Sequence, residues 1–358
     1  MKKSYLMMAA AATMLAACTQ TDFVNEVPAE APKAIEFEGG FVNKATRSEN
    51  SNANYNETFS DHHSTFAVWA YKKATEESDR AVVFENEVVT VENGNYTYTN
   101  TAYWDKGAAS YAFVAAAPAT HNTWTLDVDN FKTSLNLSNV ETHQTSATHL
   151  SVLTPEKSGV NQDLLISEDV IINPATHVGA VNLSFIHILS RLNIVLNNTN
   201  NKFRIMSVTV KGLPSVGNFD ESKLKGENLA KGTHTRWTLD KTNPANSKDY
   251  NVTFNGDAQK KLGSNVYLMQ TLVMPQEITD DTTIEVVYGY DLGNGYIDEF
   301  TRTHTLAEVF GITDGNKLYF NEGWQNTLTL TVETTEITFS ASVASWASSS
   351  QSTAHVIK

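Results

Sequence analysis

The 358-residue sequence contains a single cysteine, so no disulfide can form within the chain, and packing and hydrogen bonds must carry its stability. It lacks a basic excess. Lys and Arg number 26 against 40 Asp and Glu, a net charge of −14, which argues against nucleic acid or anionic lipid as a ligand. It lacks a long apolar run. The longest, from Leu6 to Ala17, falls short of the ~20 residues of a spanning helix. Helical amphipathic stretches of useful length are missing too. So are a Walker loop, a dinucleotide glycine fingerprint, a His-Glu-x-x-His pair and a Gly-x-Ser-x-Gly elbow, which leaves no template for an enzyme. What remains is 41% apolar and 10% aromatic, a globular composition.

The lone cysteine has a context. Lys2 and Lys3 precede the apolar run, and Leu15-Ala16-Ala17 ends it directly before Cys18. That is the layout of a secretory signal whose cleavage site resembles a bacterial lipobox, with Cys18 as the lipidated first residue of the mature protein. The alternative is an ordinary signal peptide with a chance cysteine. The acidic, proline-bearing stretch from Thr19 to Lys33 then reads as a tether.

Beyond it the chain reads as short strands. Ile35, Phe37 and Phe41 alternate with Glu36 and Glu38, the period-2 signature of a strand with one apolar face. From Lys44 the pattern gives way to a polar loop containing Arg47. Further runs include "STFAVWAYKK", "AVVFENEVVTVENGNYTYTN" with a type I′ turn expected at Asn93-Gly94, and "SYAFVAAAPA". Residues 132–162, rich in Thr, Ser, His and Asn, are expected to form a long loop with a short helix. A second set of strands begins near Val181. The expectation is all-β: two tandem β-sandwiches, with a signal at 1–17, a tether and first strand at 18–47, an N-terminal domain at 48–180 and a C-terminal domain at 181–358.

Candidate chemistry is sparse. His62 and His63 are neighbours that would point to opposite faces of a strand, so they are expected to be surface loop residues and not a chelate. Asp127 and Asp129 begin a calcium-loop spacing that lacks its glycine and final glutamate, and Asp291 fails the same test and reads as a hairpin turn. No metal or cofactor is expected. Asp281-Thr282-Thr283 fits a short O-glycosylation acceptor pattern. Trp69, Tyr71, Tyr103, Trp104, Tyr111 and Trp124 could stack on sugars, although strand packing accounts for them more simply.

Two strands are alike. The run Ile35-x-Phe37-x-Gly39-x-Phe41 matches Ile337-x-Phe339-x-Ala341-x-Val343 near the C-terminus. If a cut after Arg47 removed the first, the sheet would expose an apolar groove and unpaired backbone groups, a template for a strand from another molecule. The segment 336–358 is suited to fill it, and such a head-to-tail contact builds a filament. Both runs could equally be ordinary strands of one monomer.

The lipobox at Cys18, "IEFEGGFVNKATR" ending in Arg47, "FAVWAYKK", "YWDKGAASYAFVAAAP", "QDLLIS", "LSFIHILSRLNIVLNN", "LVMPQ" and "NTLTLTVETTEITFSASVASW" occur in an order that resembles the fimbrillins, subunits of type V pili of Bacteroidales. The resemblance implies two transthyretin-like β-sandwiches, no enzymatic activity, export as an outer-membrane lipoprotein and cutting after Arg47 by an arginine-specific protease. It also implies assembly with other pilus subunits by strand exchange, with the C-terminal segment as donor. Stalk, tip and anchor roles stay open, since only twelve residues follow Trp346. The competing expectation is a lipid-anchored adhesin or glycan-binding lipoprotein that never polymerises.

Overall fold

A computed structural model of the chain describes residues 32–41, 59–61, 63–119, 124–129, 132–142, 163–224, 235–241, 243, 246–312, 317–333, 336–345 and 355–357. The first ten strands are β1 (Phe37–Phe41), β2 (Thr65–Lys73), β3 (Arg80–Glu92), β4 (Asn95–Thr97), β5 (Ser110–Ala117), β6 (Thr125–Asp129), β7 (Lys132–Glu141), β8 (Leu165–Ser167), β9 (Val170–Ile172) and β10 (Val181–His187). There follow β11 (Ser190–Asn198), β12 (Phe203–Pro214), β13 (Val216–Asp220), β14 (Trp237–Leu239), β15 (Ser247–Thr253) and β16 (Gly263–Val273). The last are β17 (Gln276–Glu277), β18 (Thr283–Gly293), β19 (Tyr296–Thr305), β20 (Tyr319–Phe320), β21 (Trp324–Glu333), β22 (Glu336–Ser345) and β23 (His355–Ile357). One short helix, α1 (Leu306–Val309), follows β19 and starts on a capping box between Thr305 and Glu308. The molecule is nearly all-β, as its patterning predicts.

The largest sheet has eight strands in the order β1-β10-β8-β5-β2-β3-β4, with β9 beside β5. Its middle strands β2 and β5 are buried on both faces. That is why "FAVWAY" and "YAFVAAA" read as continuous apolar runs instead of alternating ones. One face holds Phe66, Val68, Phe113, Leu183 and Phe185. The other holds Ala67, Trp69, Val114 and Ile166, which meet Leu135, Leu137, Phe219 and Trp237 from the four-stranded sheet β14-β13-β7-β6. A separate sandwich packs β16-β11-β21-β22-β23 against β15-β12-β18-β19 around Leu192, Ile194, Phe203, Val208, Tyr250, Leu328 and Phe339.

Several expectations need adjusting. A boundary near residue 180 does not follow the sheets, because β10 lies between β1 and β8 in the first sheet. Strands β13 and β14, from the second half, complete the sheet of β6 and β7. Residues 132–141 form strand β7 and not a loop; Leu135 and Leu137 are buried against a partner strand more than seventy residues away. His63 is buried beside the Phe59 ring, not on the surface. The expected turn at Asn93-Gly94 forms, with φ of 50° and 78°, both on the side that type I′ requires. Residues 1–31 and 42–58, which include Cys18 and Arg47, lie outside the described residues, as does His62.

Candidate functional site: the seat of the first strand

The first sheet rolls until its two outermost strands meet. β1 runs parallel to β10, from Phe37 opposite Val181 to Phe41 opposite Phe185. Among the described residues its other side is paired with no strand by a backbone ladder. There the Tyr96 hydroxyl of β4 donates to the Gly39 carbonyl at 3.0 Å, and the Tyr98 hydroxyl donates to the Ile35 carbonyl at 2.6 Å. The phenols grip two carbonyls four residues apart, one in β1 and one just before it, because Tyr96 and Tyr98, two residues apart in an extended run, point the same way. Burial raises the Tyr98 phenol's pKa, so it stays a donor at neutral pH. Upstream, the Ile35 N–H bonds Ala102 and the Trp104 N–H bonds Lys33, each across 2.9 to 3.0 Å.

The side chains of this strand divide by parity. Glu36 and Glu38 are exposed, while Ile35 is 0% and Phe37 5% exposed. The Phe37 ring lies 5.5 to 6.3 Å from those of Tyr98, Phe84, Phe113 and Phe66. Gly39 sits where a Cβ would come within 3.3 Å of the Phe185 ring and 3.6 Å of Tyr96, so the seat admits only a small residue there. It therefore reads a pattern, branched then aromatic then small, as well as a backbone. Glu87 supports the wall. It accepts from the Thr99 and Asn100 N–H groups and the Asn100 amide, one residue beyond Tyr98.

The other expected site residues fall elsewhere. Ile337, Phe339 and Ala341 are buried in the core of the second sandwich, and Val343 is half-buried on the same strand. β22 pairs with β21 along its whole length and with β23 over Phe339 to Ala341. The two alike runs thus occupy different settings, β1 parallel to one neighbour and β22 antiparallel to two. The aromatic residues do not form a platform: Trp69 and Tyr71 belong to one face of the first sheet, Trp104 and Tyr111 to the other, and all four are buried. Thr282 is buried as well, which withdraws it as an acceptor for O-glycosylation. Asp291 holds its hairpin by binding Arg204 and the Gly293 N–H. Among the described residues, no group of three or more His, Cys, Asp or Glu is gathered as for a metal ion, and no helix is long and apolar enough to cross a membrane.

A family described as fimbrillin-like matches residues 46–346. The chain belongs to the fimbrillin-like family. A putative cell adhesion protein from Bacteroides uniformis is similar in structure at 17% identity and a TM-score of 0.48, covering 88% of this chain and 99% of its own. A fimbrial protein from Bacteroides vulgatus is similar at 14% identity and a TM-score of 0.47, with the same coverage. No curated protein matches the sequence. The residues missed in the sequence of this fimbrillin-like chain are Tyr96, Tyr98 and Glu87. Their signal was the Tyr-x-Tyr pair in the Asn93-Gly94 hairpin, which marks a shared face without revealing what that face meets.

Proposed function

We propose that the chain is a structural subunit, stalk or tip, of a cell-surface pilus, kept from assembling by its own first strand. It is exported as a lipoprotein through Cys18 and held on the outer membrane. An arginine-specific protease cuts after Arg47, and the segment carrying β1 leaves its seat. A strand from another subunit then takes the seat by donor-strand exchange, and repetition gives a head-to-tail fibre that supports adhesion. The observation that carries this reading is the seating of β1. It is parallel to a single neighbour, buries Phe37, with Ile35 just before it, in an aromatic pocket, and is followed by residues 42–58, in which the arginine lies. The family match over 46–346 leaves β1 and β23 outside it, the two segments the proposal makes exchangeable.

The donor is the far end of the C-terminal segment 336–358, the part that carries β23. β23 holds to the outer edge of its sheet by three residue pairs, whereas β22 holds to β21 by ten and fills the second core. Treating purified precursor with an arginine-specific protease tests the proposal. Loss of the segment ending at Arg47 followed by a ladder of multimers supports it. A cut protein that stays monomeric, with β1 gone and the seat open, refutes it.

A further inference from the structure

Strand β19 closes the sheet β15-β12-β18-β19 on its outer side, and among the described residues nothing pairs with its far edge. Long exposed edges are usually blunted by proline, by charged side chains, lysine above all, or by a bulge. β19 has no proline or lysine, its charges (Asp298, Glu299 and Arg302) are of both signs, and its one ladder irregularity lies outside it, between Asp291 and Gly293 of β18. It also carries apolar surface. Tyr296 is 73% exposed, Ile297 40% and Phe300 37%, with Leu292 of the hairpin at 58%.

The direction of its backbone groups follows from one bond. The Leu306 N–H donates to the Thr282 carbonyl, and the antiparallel ladder alternates from there. Even-numbered residues of β19 therefore turn their N–H and C=O groups to β18. Ile297, Glu299, Thr301 and Thr303 turn theirs outward, and all four side chains are exposed.

The sequence of this edge complements itself. We propose that two copies of the chain join through β19, antiparallel about a two-fold axis at Phe300. Glu299 and Thr301 of each copy then form the hydrogen-bonded pairs nearest the axis. On the opposite phase Phe300 meets its equivalent, Asp298 meets the partner's Arg302, and Tyr296 meets the partner's His304. Neither Asp298 nor Arg302 has an ion-pair partner among the described residues of its own chain. Other registers of the same parity are worse. An axis at Glu299 sets the two Glu299 side chains opposite each other, and an axis at Thr301 sets Arg302 against Phe300; direct like-charge pairs destabilise a sheet. The contact is isologous and closes on itself, turning two four-stranded sheets into one of eight. It lies in the second sandwich, away from the β1 seat, so it joins two molecules sideways whether or not they polymerise end to end.

Sedimentation equilibrium of the purified, uncut protein tests this between about 10 µM and about 1 mM, the range expected of a small interface. The natural chain forms dimers. Thr301→Pro removes an outward N–H and leaves the ladder to β18 intact, so the expected product is a monomer with an unchanged melting temperature. Asp298→Arg or Arg302→Asp alone weakens association about tenfold, because two cross-strand pairs become repulsive in each dimer. The double exchange restores it to within about threefold. A natural chain that is monomeric throughout, a dimer indifferent to Thr301→Pro, or a double exchange no better than the single ones overturns the inference.

Discussion

Phe37→Ala separates the work of the first strand from that of the body it plugs. The Phe37 ring is 5% exposed and makes four aromatic contacts. Truncating such a ring costs about 3–5 kcal/mol, transfer and cavity together. In the uncut chain this appears as a lowered urea midpoint. After cutting at Arg47 it has another effect, because the strand is then held only by non-covalent contacts. A loss of about 3–5 kcal/mol corresponds to roughly a hundredfold to several-thousandfold in the equilibrium for strand release. The cut variant therefore assembles much faster than the cut natural protein, while the finished fibres are identical, since the altered residue has been discarded. The assay is light scattering and gel ladders after timed cutting, with urea melts of the uncut proteins. An unchanged urea midpoint would show that Phe37 is not wedged in the sheet. A normal midpoint shift without faster assembly would show that the first strand does not limit assembly.

Other outcomes follow from the wall of the seat and from the junction between the sandwiches. Tyr98→Phe removes the hydroxyl that grips the Ile35 carbonyl, costs about 1 kcal/mol, and raises strand release after cutting roughly fivefold, measured with a fluorophore on Lys33. Burial raises the Glu87 pKa, but the Asn100 side chain and the Asn100 and Thr99 N–H groups outweigh it and leave the carboxyl below its usual value. Its contribution is complete above the unfolded-state value and is lost as pH falls through the lower folded-state value. The protection of the Thr99 and Asn100 amides, taken relative to their intrinsic exchange rates, therefore falls as the solution is acidified, and Glu87→Gln flattens that response. Arg236→Ala leaves Glu322 without its 2.6 Å partner at a site where both side chains are nearly buried, and should lower stability by about 3–5 kcal/mol in urea melts.

Much of this architecture is legible in the sequence. The alternation at Ile35 and Phe37, the doubly buried runs of β2 and β5 and the turn at Asn93-Gly94 are local patterns, and local patterns survive in sequence. Strand β7 was missed because its apolar residues are few and its partner β13 lies far along the chain. Burial at Leu135 and Leu137 is decided by that partner. The likeness of residues 337–343 to residues 35–41 was visible, but which strand fills which core was not.

By itself the sequence determined an all-β chain, the position of its lone cysteine directly after an apolar run and a first strand with one apolar face. Each rests on the order of neighbouring residues. Only the tertiary structure decided that the first strand lies parallel to β10, that Tyr96 and Tyr98 clasp its carbonyls, and that residues 336–345 are already spent on the second core. Those outcomes depend on which distant strands share a sheet, and period-2 alternation states a strand's face without naming its neighbour.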